Sequence, residues 1–508
     1  SLNTTPLSTV TTSTTTSGLD TEAPIWDEDS PPYASEIGSL FNLNIPSVTD
    51  NVGVVSYEIY VNGALSTYAT ISDTRLLVTP KYDTTCADQL IYVIAFDDAG
   101  NSSQSPTFTI PQSDPCISVI SSSGGSSGGG GGSGGGGQTI FAVTFSGSAG
   151  TDTGNGIAVD SSGNTYITGY FAGTVYFDPE VPSRASGYSS RVDIFVLKLD
   201  SSGTFQWVKT YGGSSDDFGY GIAVDSNSDV YITGFFNGTV DFGGGNNTSA
   251  GGQDIFVLKL NSSGTFQWVK TFGSTSSDNG ISITGGLMGG GDPAGNVYVT
   301  GHFNGTVDFG GGSRTSAGNI DIFVLKLNSS GVYQWDKTFG STSFDNGEGI
   351  VAHPTGDVYV TGYFRGTADF GGGDVTPAGS SDIFVLKFDS SGTFQWVKTY
   401  GGSSSDNGYG IAVNDSGNPH ITGYFHGTVD FGGGDVTSGG SSDIFVLKLN
   451  SSGTFQWVNT FSGTGEDTGF GIAVDSSGNS YTTGYFGGTV DFGGGDVTSG
   501  GSSDIFVL

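Results

Sequence analysis

The sequence predicts an all-β protein: an N-terminal β-sandwich followed by a six-bladed β-propeller closed by its N- and C-terminal strands. Short strand-like runs separated by turn residues continue from about residue 22 to the end, with no amphipathic helical stretch among them. A string of the type DIFVL recurs, starting at Asp193, Asp254, Asp321, Asp382, Asp443 and Asp504. The spacing is 61 residues, except for 67 between Asp254 and Asp321, where an insert around GGLMGGGDPAGN intervenes.

Composition narrows the function. The 508 residues include 15 Lys+Arg against 49 Asp+Glu, a net charge of -34 that repels phosphate backbones, so a nucleic-acid partner is not expected. Cationic ligands, divalent metals and neutral glycans are compatible with that charge. No run approaches the roughly 20 apolar residues of a membrane helix, so membrane insertion is not expected either. Ser1 in place of Met suggests a processed or excerpted chain, and an extracellular, cell-surface setting is the simplest context.

Taken in order, residues 1–21 form a Thr-rich arm, SLNTTPLSTVTTSTTTSGLD. Its poverty in apolar groups fits a stalk, while its β-favouring Thr and Val also suit a strand donated to a sheet edge elsewhere. Residues 22–116 carry alternating strands such as VVSYEIYVNG and QLIYVIAFDDAGN, the pattern of a sandwich. Cys86 and Cys116 are the two cysteines of the chain. So isolated a pair, in so acidic a sequence, reads as a disulfide pinning the exit of that domain. Residues 117–138 are a Gly/Ser linker of flexible-coil composition.

Residues 139–508 are the repeat region. A unit reads GIAVDSSGNTYITGYF, GTVDFGGG, DIFVLKLDSSG and TFQWVKTYGG, which supplies four strands joined by tight turns. IFVL is apolar at successive positions, as expected of a strand covered on both faces. The DSSGN and NSSG segments read as turns, Asp or Asn capping and Gly taking positive φ. The chain ends on a DIFVL with no outer strand after it, and TIFAVTFSG at 139–147 is an outer strand with no DIFVL before it. Pairing the two completes a sixth blade and removes two open edges.

Two resemblances follow from these residues. TDNVGVVSYEIYVNGAL with LIYVIAFDDAGNSSQSPTFTI resembles fibronectin type III and related immunoglobulin-like modules, which implies a spacer. GIAVDSSGNTYITGYF with DIFVLKL resembles the bacterial SBBP β-propeller repeat family. That resemblance implies the propeller and says little about activity, because propellers host unrelated functions. The family label refers to seven blades, whereas this chain supplies six.

Candidate sites are few. Asp152, Asp217, Asp278, Asp345, Asp406 and Asp467 stand just ahead of each GIAV-like strand. A ring of them beside the axis could bind Ca²⁺, or each could accept backbone N–H bonds that tie blades together, the reading we favour. No other cofactor is required. Asp241, Asp308, Asp369, Asp430 and Asp491 form a second, architectural set. Departures from the repeat are His302 and His420, in place of tyrosines, and His426 and Arg365 before GT. Sequons at Asn3, Asn101, Asn237, Asn261, Asn304, Asn328, Asn414 and Asn450 suit glycosylation or simply turns. A catalytic site would break the symmetry more strongly, so no enzyme is expected.

The favoured function is a secreted cell-surface structural or adhesion protein, in a specific version an extracellular filament subunit. Its partners would be other copies of itself, or a cell-surface glycan or protein. The alternatives are a glycan-binding propeller lectin using aromatics such as Tyr170, Phe236 and Tyr424, and, least favoured, a propeller hydrolase or lyase.

Overall fold

A computed structural model of the chain describes residues 151–177, 191–285 and 295–508. The arm, the sandwich with Cys86 and Cys116, the linker, and the sequons at Asn3 and Asn101 lie outside the described residues. Of the two compact units into which the chain divides, the one bearing the repeats comprises residues 148–174 and 185–508.

The blades of this unit share one plan. Blade 1 is built from Thr153–Val159, Thr165–Ala172, Val192–Leu199 and Phe205–Tyr211, antiparallel and adjacent in that order. Four more four-stranded sheets open at Phe218, Asn279, Asn346 and Asn407, and a sixth, three-stranded sheet consists of Thr468–Val474, Ser480–Phe486 and Asp504–Val507. First strands of successive blades pack beside one another, which makes them the inner strands of a six-bladed propeller.

The apolar cores lie between blades. Ile194 and Val196 of blade 1 pack in one cluster with Ile222, Phe256 and Leu258 of blade 2. Ile255 and Val257 of blade 2 join the next cluster, with Phe323 and Leu325 of blade 3. Successive residues of each IFVL strand thus serve two different cores, because side chains alternate across a strand. That is why the strand reads as continuously apolar. Full burial of each such side chain is worth roughly 1.5–3 kcal/mol.

Between blades the turns lock. Trp207, Trp268, Trp335 and Trp396 each donate their indole N–H to a serine carbonyl in the SSG turn of the following blade, at 3.1, 3.1, 3.4 and 3.2 Å. Lys198, Lys259, Lys326 and Lys387 reach the same carbonyls.

Every inner strand carries a β-bulge, in a G-x-G segment or, in blade 3, Gly280–Ser282, where the central residue has no partner in the ladder: Asn155, Tyr220, Ile281, Glu348, Tyr409 and Phe470. Opposite the bulge stands the Gly of each TG pair. A Cβ at Gly362 would overlap the Asn346 carbonyl oxygen, and one at Gly349 would fall 2.7 Å from the Tyr409 carbonyl oxygen of the next blade. The glycines therefore allow the inner strands to crowd at the axis.

The expected closure rests on residues 139–147, of which the backbone of Ser146 and Gly147 is described. Within the segment 139–147, Ser146–Gly147 pairs with Val175 and Tyr176, the neighbour relation that Gly213 has with Thr239. Residues 139–145, which would pair with Asp504–Val507, lie outside the described residues. Ile157 is 68% exposed, although its equivalents Ile222, Ile283, Ile350 and Ile411 are at most 9% exposed, and Ile505 is 85% exposed where Ile444 is 0%. Among the described residues the sixth sheet therefore has three strands, and Ile157 and Ile505 have no opposing blade against them.

Gly362→Ala should lower stability by about 1–3 kcal/mol through overpacking, whereas exposed Thr342→Ala should stay within about 0.5 kcal/mol. Urea unfolding followed by tryptophan fluorescence measures both.

Candidate functional site

The repeated carboxylates are accounted for first. Asp217 accepts the backbone N–H groups of Asn237 and Gly213, both at 2.9 Å. Asp278 accepts those of Asn304 and Ser274 at 2.7 Å, and Asp406 those of His426 and Gly402 at 2.8 Å. Asp345 takes Arg365 at 2.7 Å and Ser341 at 2.6 Å, Asp467 takes Gly487 at 2.8 Å, and Asp152 takes Ala172 at 3.0 Å. In the paired cases one N–H belongs to the Asp's own blade and the other to the segment arriving from the preceding outer strand. These residues are staples. Among the described residues no three His, Cys, Asp or Glu gather so as to hold a metal ion.

The DIFVL aspartates stand next to the staples. Asp254, Asp321 and Asp382 each accept an alanine N–H four residues upstream at 2.9 Å. Burial, reinforced by the neighbouring staple, pushes Asp254 and Asp321 up to about 6. Burial likewise pushes Asp406 and Asp467 up to about 6 and Asp217 to about 7. The DFGGG set is exposed and local, as in Asp241, which accepts Gly243 N–H at 2.8 Å and Gly245 N–H at 2.9 Å, with φ of 103° and 105° at those glycines.

The symmetry-breaking residues separate. His420 is fully buried, its Nδ1 2.7 Å from Ser480 Oγ, and burial followed by the charge of Lys448 lowers its pKa to about 4. His426 and Arg365 are exposed. Phe236 is 0% exposed and cannot stack on a sugar, which corrects that expectation; its place in the inter-blade core removes it from solvent. Tyr170 and Tyr424 are half-buried in aromatic contacts, with Phe218 at 4.3 Å and Tyr409 at 6.0 Å. The sequon residues Asn237, Asn261, Asn304, Asn328, Asn414 and Asn450 are half-buried. Asn261, Asn328, Asn414 and Asn450 cap turns through their side-chain oxygens.

One cluster remains. His302 Nδ1 lies 2.8 Å from Asn346 Oδ1, and Asn346 Nδ2 donates to Glu348 Oε1 at 2.7 Å. Since the Asn346 oxygen accepts, His302 carries its proton on Nδ1. Burial holds the His302 pKa below its ordinary value and pushes Glu348 up to about 7. Sequence reasoning singled out His302 but missed Asn346 and Glu348. The signal was available, because Glu348 is the single carboxylate among the six bulge residues.

The architecture places the chain among repeat-built β-propellers. Within it, the repeat described as "Beta-propeller repeat" (SBBP) matches residues 143–170, 206–234 and 456–485. An uncharacterized WD repeat-containing protein of Acanthamoeba polyphaga mimivirus is 24% identical over 430 residues, 67% of this chain and 30% of that protein. The regulatory protein FlaEY of Caulobacter vibrioides is 28% identical over 372 residues, 68% of this chain and 38% of that protein. The chain thus spans roughly a third of these relatives' length. Among solved structures, YCF48 with a bound peptide aligns at TM-score 0.32 and 10% identity, covering 70% of this chain and 83% of that one. Sqt1 from Chaetomium thermophilum aligns at TM-score 0.32 and 12% identity, covering 69% and 84%.

Carboxylates whose folded pKa is raised above the unfolded value stabilise the fold fully below pH 4, and that contribution is lost as pH rises through 6 to 7. The melting temperature should therefore fall by at least about 5 °C between pH 5 and pH 8, as calorimetry would record. If the staples act through backbone N–H groups alone, adding EDTA at pH 7 should leave the melting temperature unchanged, while Asp345→Ala should lower stability by about 2–4 kcal/mol in urea unfolding.

Proposed function

We propose that this chain is a structural or adhesive protein of the cell surface whose copies join end to end, blade 6 of one copy against blade 1 of the next. The observation supporting this reading is the exposure of Ile157 and Val159 at one end of the blade series and of Ile505 and Val507 at the other, at 68%, 51%, 85% and 80%. Interior interfaces are built from the equivalent residues, so each end face is complementary in shape and chemistry to the other. A head-to-tail contact of that kind propagates rather than closes, as a filament requires.

Other copies are thus the first partner, with a cell-surface glycan or protein as the eventual target, and no enzymatic step belongs to this reading. Its supports are the repeated carboxylates, which hold backbone, and the extracellular setting inferred from composition.

Charge adds a condition. Copies at net charge -34 repel one another, and salt screens that repulsion. Electron microscopy and light scattering of the full chain at high concentration should show head-to-tail assemblies that lengthen as salt is raised. Ile505→Asp and Ile157→Asp should each abolish them. Monodisperse particles at every salt concentration, unchanged by either substitution, would overturn the reading in favour of a ring that closes on itself.

A further inference from the structure

Bulges re-aim a side chain out of the ladder, and here they do so once per blade around one axis. Five of the six bulge residues are neutral: Asn155, Tyr220, Ile281, Tyr409 and Phe470. The sixth, Glu348 of blade 4, is half-buried, and among the described residues its hydrogen-bond partner is the Asn346 amide. Tyr220 of blade 2 and Tyr409 of blade 5 are the bulge residues of their own inner strands, and Tyr363 stands opposite Asn346 in the ladder. The shared bulge position on packed inner strands puts Glu348 with Tyr220 and Tyr409 at the axis.

We propose that Glu348, clamped by Asn346 and sharing the axial ring of bulge residues with Tyr220 and Tyr409, binds an organic cation, an alkylammonium or guanidinium group entering along the axis. No cation pairs with this carboxylate among the described residues. Withdrawal from water penalises a lone carboxylate, and a desolvated cation placed beside it relieves the penalty. Tyrosine faces add cation–π attraction, and Tyr363 already takes a guanidinium in this way, Arg365 standing 5.5 Å from its ring centroid. The net charge of -34 draws cations toward the protein from a distance. His302 supplies orientation: neutral and bonded through Nδ1, it fixes the Asn346 amide so that its N–H₂ faces Glu348.

The groups around Glu348 separate cleanly in titration. Tyr220 and Tyr409 are pushed up to about 12 by burial and Tyr363 is raised, so all three stay protonated near neutrality, and His302 stays neutral. Asp345 and Arg365, the other charges felt at Tyr363, belong to the staple and to the exposed rim. Glu348, at about 7, is the group that changes charge. Binding should therefore be about tenfold weaker at pH 6 than at pH 8.

Calorimetric titration of the full chain with butylguanidinium and butylammonium tests the site, with butyl glucoside as the neutral comparison. An acetylated, amidated Gly-Arg-Gly tripeptide distinguishes the two sources of such a group: tighter binding of the peptide assigns a protein side chain, tighter binding of the small amine a free metabolite. The expected result is saturable binding of at least one cation at pH 8, about tenfold weakening at pH 6, and loss of at least tenfold with Glu348→Gln. Carbon NMR of the wild-type Glu348 carboxyl, which needs no variant, should show its pKa falling by about one unit when the cation is bound. Absence of binding by every cation at millimolar concentration, equal binding of the glucoside, or an unmoved Glu348 pKa would overturn the proposal.

Discussion

Each blade depends on its neighbour, because the apolar side chains of its third strand point into two cores and it owns neither of them completely. Ile194 and Val196 are covered by blade 2, and Phe256 and Leu258 of blade 2 complete the same cluster. The tryptophan and lysine contacts to the next SSG turn, and the aspartate staples at the arriving segment, follow the same direction. Stability is thus a chain of nearest-neighbour terms, as in other repeat proteins.

This arrangement explains why so acidic a protein can bury carboxylates. Asp217, Asp278, Asp345, Asp406 and Asp467 are fully buried, yet each accepts backbone N–H groups that would otherwise stand unpaired where the chain passes between blades. The second carboxylate at each junction raises its neighbour's pKa, so the junctions favour mildly acidic conditions. Regularity of this kind is a mark of architecture, and the one place where the axis departs from it is Glu348.

Much of the propeller was legible in the sequence. The interval of DIFVL strings gave the number of blades, the uninterrupted IFVL run announced a strand covered on both faces, and Asp with Gly at fixed offsets marked the turns. The backbone-tie reading of the six staple aspartates was available from their position alone. Two things were not. Phe236 looks like an accessible aromatic until its strand face is known, and Glu348 is hidden because a bulge shifts the inside-outside alternation by one residue.

The bulge has an evolutionary corollary. Because its side chain is released from the ladder, that one position in each blade can be exchanged for Asn, Tyr, Ile, Glu or Phe while the glycines beside it keep the strand in place. Duplicating a blade then copies a complete folding unit together with one freely variable letter. A lineage can rewrite what stands at the axis a letter at a time, without ever passing through an unfolded ancestor.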